Sequence, residues 1–134
     1  MIIDSKKSAY LSKLEFILDE SGKKHYVYPM KLKDLYEVQE LFSKINDEFV
    51  ILNLPTEETN DDGEVILNTE KYDVMWELLE LALHDTKDNI EQWIDLLQVS
   101  EVLAMYRNVS QLKKKLNQME SEITNLTGTL WLHL

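Results

Sequence analysis

Three places in this 134-residue chain hold side chains of a type and spacing that could do chemistry. The first is the acidic stretch TEETNDDGEV. If Gly63 is set on the sixth position of a calcium-binding loop, Glu58, Asn60 and Asp62 fall on the first three ligand positions and Val65 on the usual apolar one. The twelfth position is then Thr69, which cannot supply the bidentate carboxylate that closes calcium's coordination shell, and the entering FVILNLP is a poor helix. The stretch therefore reads as a solvated turn. The second is the set of imidazoles His25, His84 and His133, none of which has another ligand at a spacing such as HExxH. Glu80 lies one helical turn before His84, an arrangement that favourable charge placement near a helix C-terminus explains without catalysis. The third is the glycines. Gly22, Gly63 and Gly128 stand singly among turn residues, so they form no phosphate-cradling loop. Carboxylates are abundant, and that abundance isolates no acid/base pair in an apolar pocket. With no cysteine in the chain, thiol chemistry, disulfides and thiolate zinc sites are excluded. We expect no enzyme, no cofactor and no resident metal.

The charge pattern limits the partners instead. Residues 46–105 hold sixteen acidic side chains against Lys71 and Lys87, a net −14, whereas 1–45 carry +1 and 106–134 carry +2. A field of that sign repels phosphate backbones and anionic lipid, so neither nucleic acid nor a membrane is expected as a partner. The lysine cluster Lys113–Lys115 reads as solvated helix surface. A 44% apolar content is that of a chain that folds, and no run approaches the roughly 18 apolar residues of a membrane span. The opening MIIDSKKSAYLSK lacks the apolar core of a secretory signal, which together with the missing cysteines leads us to expect a cytoplasmic protein.

The elements follow from periodicity. Residues 1–13 are ambiguous, and LEFIL and HYVYPM flank a turn-rich DESGKK, a hairpin signal whose second strand should end near Tyr28 because Pro29 cannot donate to a ladder. Leu32, Leu35, Val38, Leu41, Phe42 and Ile45 recur at helical spacing. Phe49–Leu54 and Val65–Leu67 are short β-prone runs that either pair as a second hairpin or cross the core. Asn68 or Thr69 caps a helix that is apolar around most of its circumference and carries Trp76. Another helix opens at Thr86 or Asp88 with Ile90, Trp93, Ile94, Leu96 and Leu97 inward.

From there Val102, Met105, Val109, Leu112, Leu116, Met119, Ile123, Leu126 and Leu130 alternate at spacings of three and four, a heptad seam. As one helix it would run roughly 40 Å, longer than a domain of this size buries easily. Three occupants fit it: the protein's own core, a second copy, in a homo-oligomer favoured by Lys115 and Glu120 at facing g and e positions, or a partner helix. Trp76 and Trp93 read as core residues, whereas Trp131, in TLWLHL, is either docked on the body or offered to a partner. The expected fold is mainly α (α+β) in a single domain, 1–134. It comprises a β-hairpin region over 1–30, a helical core over 31–110 and a C-terminal coiled-coil-like helix and tail over 111–134.

The order of these segments has a parallel. YVYPMKLKDLYEVQELFSKI, an acidic connector and KYDVMWELLELALHDTKDNIEQWIDLLQVSEVLAMYRNVS together resemble the tail assembly chaperones of long-tailed bacteriophages, over about residues 25 to 110. The shared pattern is an extended segment passing through Pro29 into the Lys33-Asp34-Leu35 helix start, then a leucine-rich helix, then a helix that opens with a polar turn and the Trp93-Ile94 pair. The resemblance implies a non-enzymatic protein of the bacterial host cytoplasm. It would coat the tape measure protein and keep it soluble until tail tube subunits polymerise around it. The residues expected to grip that partner are Val102, Met105, Val109, Leu112, Leu116, Met119, Ile123, Leu126 and Trp131. The same acidic surface leaves two other readings: a regulatory module that imitates DNA, and a structural protein that associates with itself through the seam.

Overall fold

The computed structural model describes residues 5–109. The order of elements is α1 (Ser5–Leu11), β1 (Glu15–Leu18), β2 (Lys24–Val27), α2 (Leu35–Ser43), β3 (Thr56–Thr59), β4 (Val65–Asn68), α3 (Glu70–Leu83), α4 (Lys87–Ile90) and α5 (Leu96–Val109). Short 3₁₀ turns lie at Leu32–Asp34 and Val50–Asn53. The architecture is α+β, helices with two separate antiparallel hairpins.

The first hairpin forms where the residue pattern places it. Phe16 pairs with Tyr26 and Ile17 with His25, so the face carrying Ile17 and Val27 turns inward and both become buried. Asp19 closes the turn: its Oδ1 accepts the backbone N–H groups of Ser21 and Lys23, and Gly22 adopts the left-handed φ of 86° that the reversal needs. Just beyond β2, the Tyr28 N–H donates to the Ala82 carbonyl at 2.8 Å, fastening the strand's end to α3.

Helix α3 is central. It buries Met75, Trp76, Leu78, Leu79, Ala82 and Leu83 and packs against α2, α4, α5 and β2. A helix apolar on several sides has to be covered on several sides, and here its own neighbours do so. Its start is held by Asn68, whose side-chain oxygen accepts the Glu70 N–H at 3.0 Å. Its end is His84, in the left-handed region at φ 52° and ψ 44°.

The helix expected to run on from Thr86 is broken in two. Asp95 and Gln98 form a reciprocal cap in which the Gln98 N–H donates to Asp95 Oδ1 at 2.7 Å and the Asp95 N–H to Gln98 Oε1 at 3.0 Å. That cap starts a fresh helix at Leu96, and Gln98 Nε2 also reaches the Leu18 carbonyl at 2.9 Å, pinning the new helix to the first hairpin. Helix α5 then buries Val99, Val102, Leu103 and Tyr106. Leu96 and Leu97, expected inward, are exposed instead, since Leu97 lies off that stripe and Leu96 sits in the helix's first turn.

The second hairpin also differs from expectation. β4 does contain Val65–Leu67, but its partner is Thr56–Thr59, not the apolar Phe49–Leu54 run. The turn decides the register. The Asn60 N–H donates to the Glu64 carbonyl, Asn60 Oδ1 accepts from the N–H groups of Asp62 and Glu64, and Gly63 takes a φ of 78°. Pairing outward from that turn reaches Thr56 opposite Asn68. Residues 49–54 would need partners inside α3, so they form the 3₁₀ turn Val50–Asn53. Of the expected heptad seam, Val102, Met105 and Val109 lie in α5; its other positions lie outside the described residues.

Candidate protein-docking surface

The residues with the most chemical promise in sequence are occupied by structural tasks. Asn60 closes its own turn, Glu58 accepts from Asn68 Nδ2 at 2.9 Å, and the Thr69 hydroxyl donates to Asp73 Oδ2 at 2.9 Å. Among the described residues no group of three or more His, Cys, Asp or Glu side chains is placed to hold a metal ion, and no helix is long and apolar enough to cross a membrane.

The two described histidines each stack on an aromatic ring. His25 lies 3.7 Å from Trp93, centroid to centroid, while its Nε2 sits 2.9 Å from Asp19 Oδ2. That contact, ahead of the other hydrogen bonds Asp19 accepts, holds the carboxyl well below the usual carboxylate range. His84 stacks on Tyr28 at 3.9 Å, and burial, with the nearby charge of Lys31, lowers its pKa below 6.5.

This lowering has a measurable consequence. The folded protein prefers neutral His84, so the unfolded chain binds the proton more readily. The stability that His84 contributes is complete above its ordinary pKa of 6.5 and is lost as the pH falls through the range below it. Thermal melts at pH 7 and pH 5 should show the wild type losing more stability on acidification than His84→Asn, a residue that tolerates the left-handed backbone. Equal losses would mean that His84 does not carry the effect.

The nine residues expected to grip a partner separate at the end of α5. Val102 is completely buried, Met105 is half-buried against the core, and Val109 is the last residue of the helix. Leu112, Leu116, Met119, Ile123, Leu126 and Trp131 lie outside the described residues. The buried stripe, Val99, Val102, Leu103 and Tyr106, is rotated away from the seam, and Val102 belongs to both. The first seam position is therefore spent on the protein's own core. Trp76 and Trp93 pack in or against that core, as expected from sequence.

The surface that remains open is elsewhere. Between Phe49 and Leu67, seven large apolar side chains are exposed: Phe49, Ile51, Leu52, Leu54, Val65, Ile66 and Leu67. Phe49 (63%), Ile51 (61%), Val65 (68%) and Leu67 (60%) are the most exposed of the seven. The cause is geometric. Alternation along β4 sends Val65 and Leu67 to one face of the hairpin and Ile66 to the other, and neither strand contains a buried residue. The second hairpin thus presents apolar side chains on both faces, and as a two-stranded sheet it leaves both outer edges unpaired among the described residues. At its base a cleft of about 160 Å³ joins Leu52 and Leu54 to Thr56, Glu58 and Asn68. Glu48, Glu57, Glu58, Asp61, Asp62 and Glu64 frame the patch, all exposed.

A two-stranded hairpin is at best marginal in water, and clustered exposed apolar side chains mark surfaces that other chains cover. Sequence reasoning missed this surface because the same apolar run reads equally well as a buried strand. The available signal was Pro55, which ends the apolar run just before Thr56–Thr59, with the Asn60–Gly63 turn following that strand. No protein-family model, curated protein or solved structure matches the chain.

Proposed function

We propose that this protein is a non-enzymatic tail assembly chaperone that binds the tape measure protein of a long-tailed phage and keeps it soluble in the host cytoplasm. The observation that carries the binding role is the apolar Phe49–Leu67 surface set within the part of the chain that holds a net −14. A carrier of an aggregation-prone helical chain has to offer apolar contact while staying dissolved, and these two features on one segment meet both demands. The resemblance over residues 25 to 110 is what names the tape measure protein as the client.

The test is co-expression with the tape measure protein of a long-tailed phage, followed by capture from the soluble fraction. Wild type is expected to retain the client. Burial of a leucine-sized side chain is worth roughly 1.5–3 kcal/mol, so Ile51→Asp combined with Leu67→Asp should weaken capture about tenfold or more while leaving the fold intact. Recovery of no client by a folded wild-type protein would refute the reading.

A further inference from the structure

We infer that the client segment received at the second hairpin is basic as well as apolar, with Lys or Arg side chains set against the hairpin's carboxylates. The inference rests on the docking reading above and adds the chemistry of the occupant.

The first support is the charge of the hairpin itself. Between residues 46 and 70 the chain holds eight acidic side chains and no Lys, Arg or His. Five of them, Glu57, Glu58, Asp61, Asp62 and Glu64, lie in β3 and in the turn that leads to β4, and all five are exposed. None has a cationic partner among the described residues, whose ion pairs join His25 to Asp19, Lys44 to Glu40 and Arg107 to Asp47. Like charges held so close repel one another, and a two-stranded hairpin has little stability to set against that repulsion. Solubility requires only net charge, which any part of the surface can carry. A partner that brings cations to this element removes the repulsion as it binds.

The second support is where the apolar side chains stand in the ladder. Residues paired across an antiparallel hairpin share a face. Glu57 is opposite Leu67 and Thr59 opposite Val65, so one face offers two apolar side chains beside a carboxylate. The other face, with Thr56, Glu58 and Asn68, borders the cleft shared with Leu52 and Leu54, and Ile66 on that face is less exposed than Val65 or Leu67. The complement of the open face is an apolar stripe flanked by positive charge, as an amphipathic helix with Lys or Arg beside its leucines supplies. A second copy meeting hairpin to hairpin would instead add its own five carboxylates to the contact.

The test uses the full-length protein and three synthetic amphipathic helical peptides that share one leucine face and carry Lys, Gln or Glu at the remaining positions. Fluorescence anisotropy should show the Lys peptide binding about tenfold or more tighter than the Gln peptide, with the difference shrinking as salt is raised. Glu57→Gln, Asp61→Asn, Asp62→Asn and Glu64→Gln together should weaken the Lys peptide about tenfold, as four partly screened charge pairs allow. Glu20→Gln, Glu37→Gln, Glu91→Gln and Glu101→Gln remove the same charge from exposed sites elsewhere and should change its affinity by no more than about twofold. Reversal by Glu57→Lys, Asp61→Lys, Asp62→Lys and Glu64→Lys should turn the preference towards the Glu peptide, a gain that a misfolded chain would not produce.

Equal affinity for the Lys and Gln peptides would overturn the proposal. Equal weakening by the hairpin and control sets would also overturn it, because the field of the whole molecule would then account for the binding. A wild type that binds no peptide and sediments as a dimer would overturn it in favour of a second copy. Capture of the tape measure protein undiminished by the four hairpin neutralisations would overturn it while leaving the client in place. Failure of that capture beside tight, hairpin-dependent binding of the Lys peptide would refute the client and support the basic occupant.

Discussion

Val102→Asp is expected to unfold the protein at room temperature. Val102 is completely buried in α5, beside Val99, Leu103 and Tyr106 in the stripe that the helix turns to the core. Removing the valine forfeits roughly 1.5–3 kcal/mol of burial, and an unpaired carboxylate in its place costs several more, against the about 5–15 kcal/mol by which a domain is stable. Loss of the cooperative thermal transition by circular dichroism is the expected result. Leu67→Asp makes the same chemical change at an exposed site and should move stability by only about 0.5 kcal/mol. The contrast separates two meanings of a heptad residue. If Val102→Asp stays folded and loses only partner binding, the seam begins at Val102 and the core assignment of α5 is wrong.

Asn53→Leu should be nearly as damaging, although the replacement is apolar and close in size. Asn53 is the one fully buried polar side chain of the described core. Its Oδ1 accepts the Asn46 N–H at 2.8 Å, and its Nδ2 donates to the Asn46 carbonyl at 2.6 Å, clasping the loop between α2 and the 3₁₀ turn Val50–Asn53. Leucine would leave both backbone groups of half-buried Asn46 without their partner. At roughly 1–2 kcal/mol for each half-buried group, the low end of the usual cost, a loss of about 2–4 kcal/mol is expected, read as a lower urea midpoint at unchanged slope. An unchanged midpoint would show that Asn46 finds other partners. The effect should extend to the exposed apolar surface, since the same loop presents Phe49 and Ile51.

Several elements were legible because local chemistry and tertiary need agree there. The first hairpin shows its alternation and its glycine turn, α2 its inward row Val38, Leu41 and Phe42, and α3 its apolar circumference and the Asn68 oxygen just before it that accepts the Glu70 N–H. The Asp95–Gln98 cap was also present to be read, and recognising it would have divided the helix expected from Thr86. The exposed apolar surface between Phe49 and Leu67 was not legible. VILN occurs twice, at 50–53 and at 65–68, and the same four residues form a 3₁₀ turn in one place and a strand in the other. Composition cannot distinguish them; the turn at Asn60–Gly63 and the position of α3 do.

By itself the amino-acid sequence determined the α+β character, the charge asymmetry and the positions of the strongest helices, because periodicity, caps and turn residues act over a few neighbours. Only the tertiary structure decided which apolar rows face inward. Val102 of the seam is taken by the core, whereas Phe49, Ile51, Val65 and Leu67 are left outside. Burial is a competition among all apolar faces for a limited interior, and its outcome depends on contacts between residues far apart in the chain.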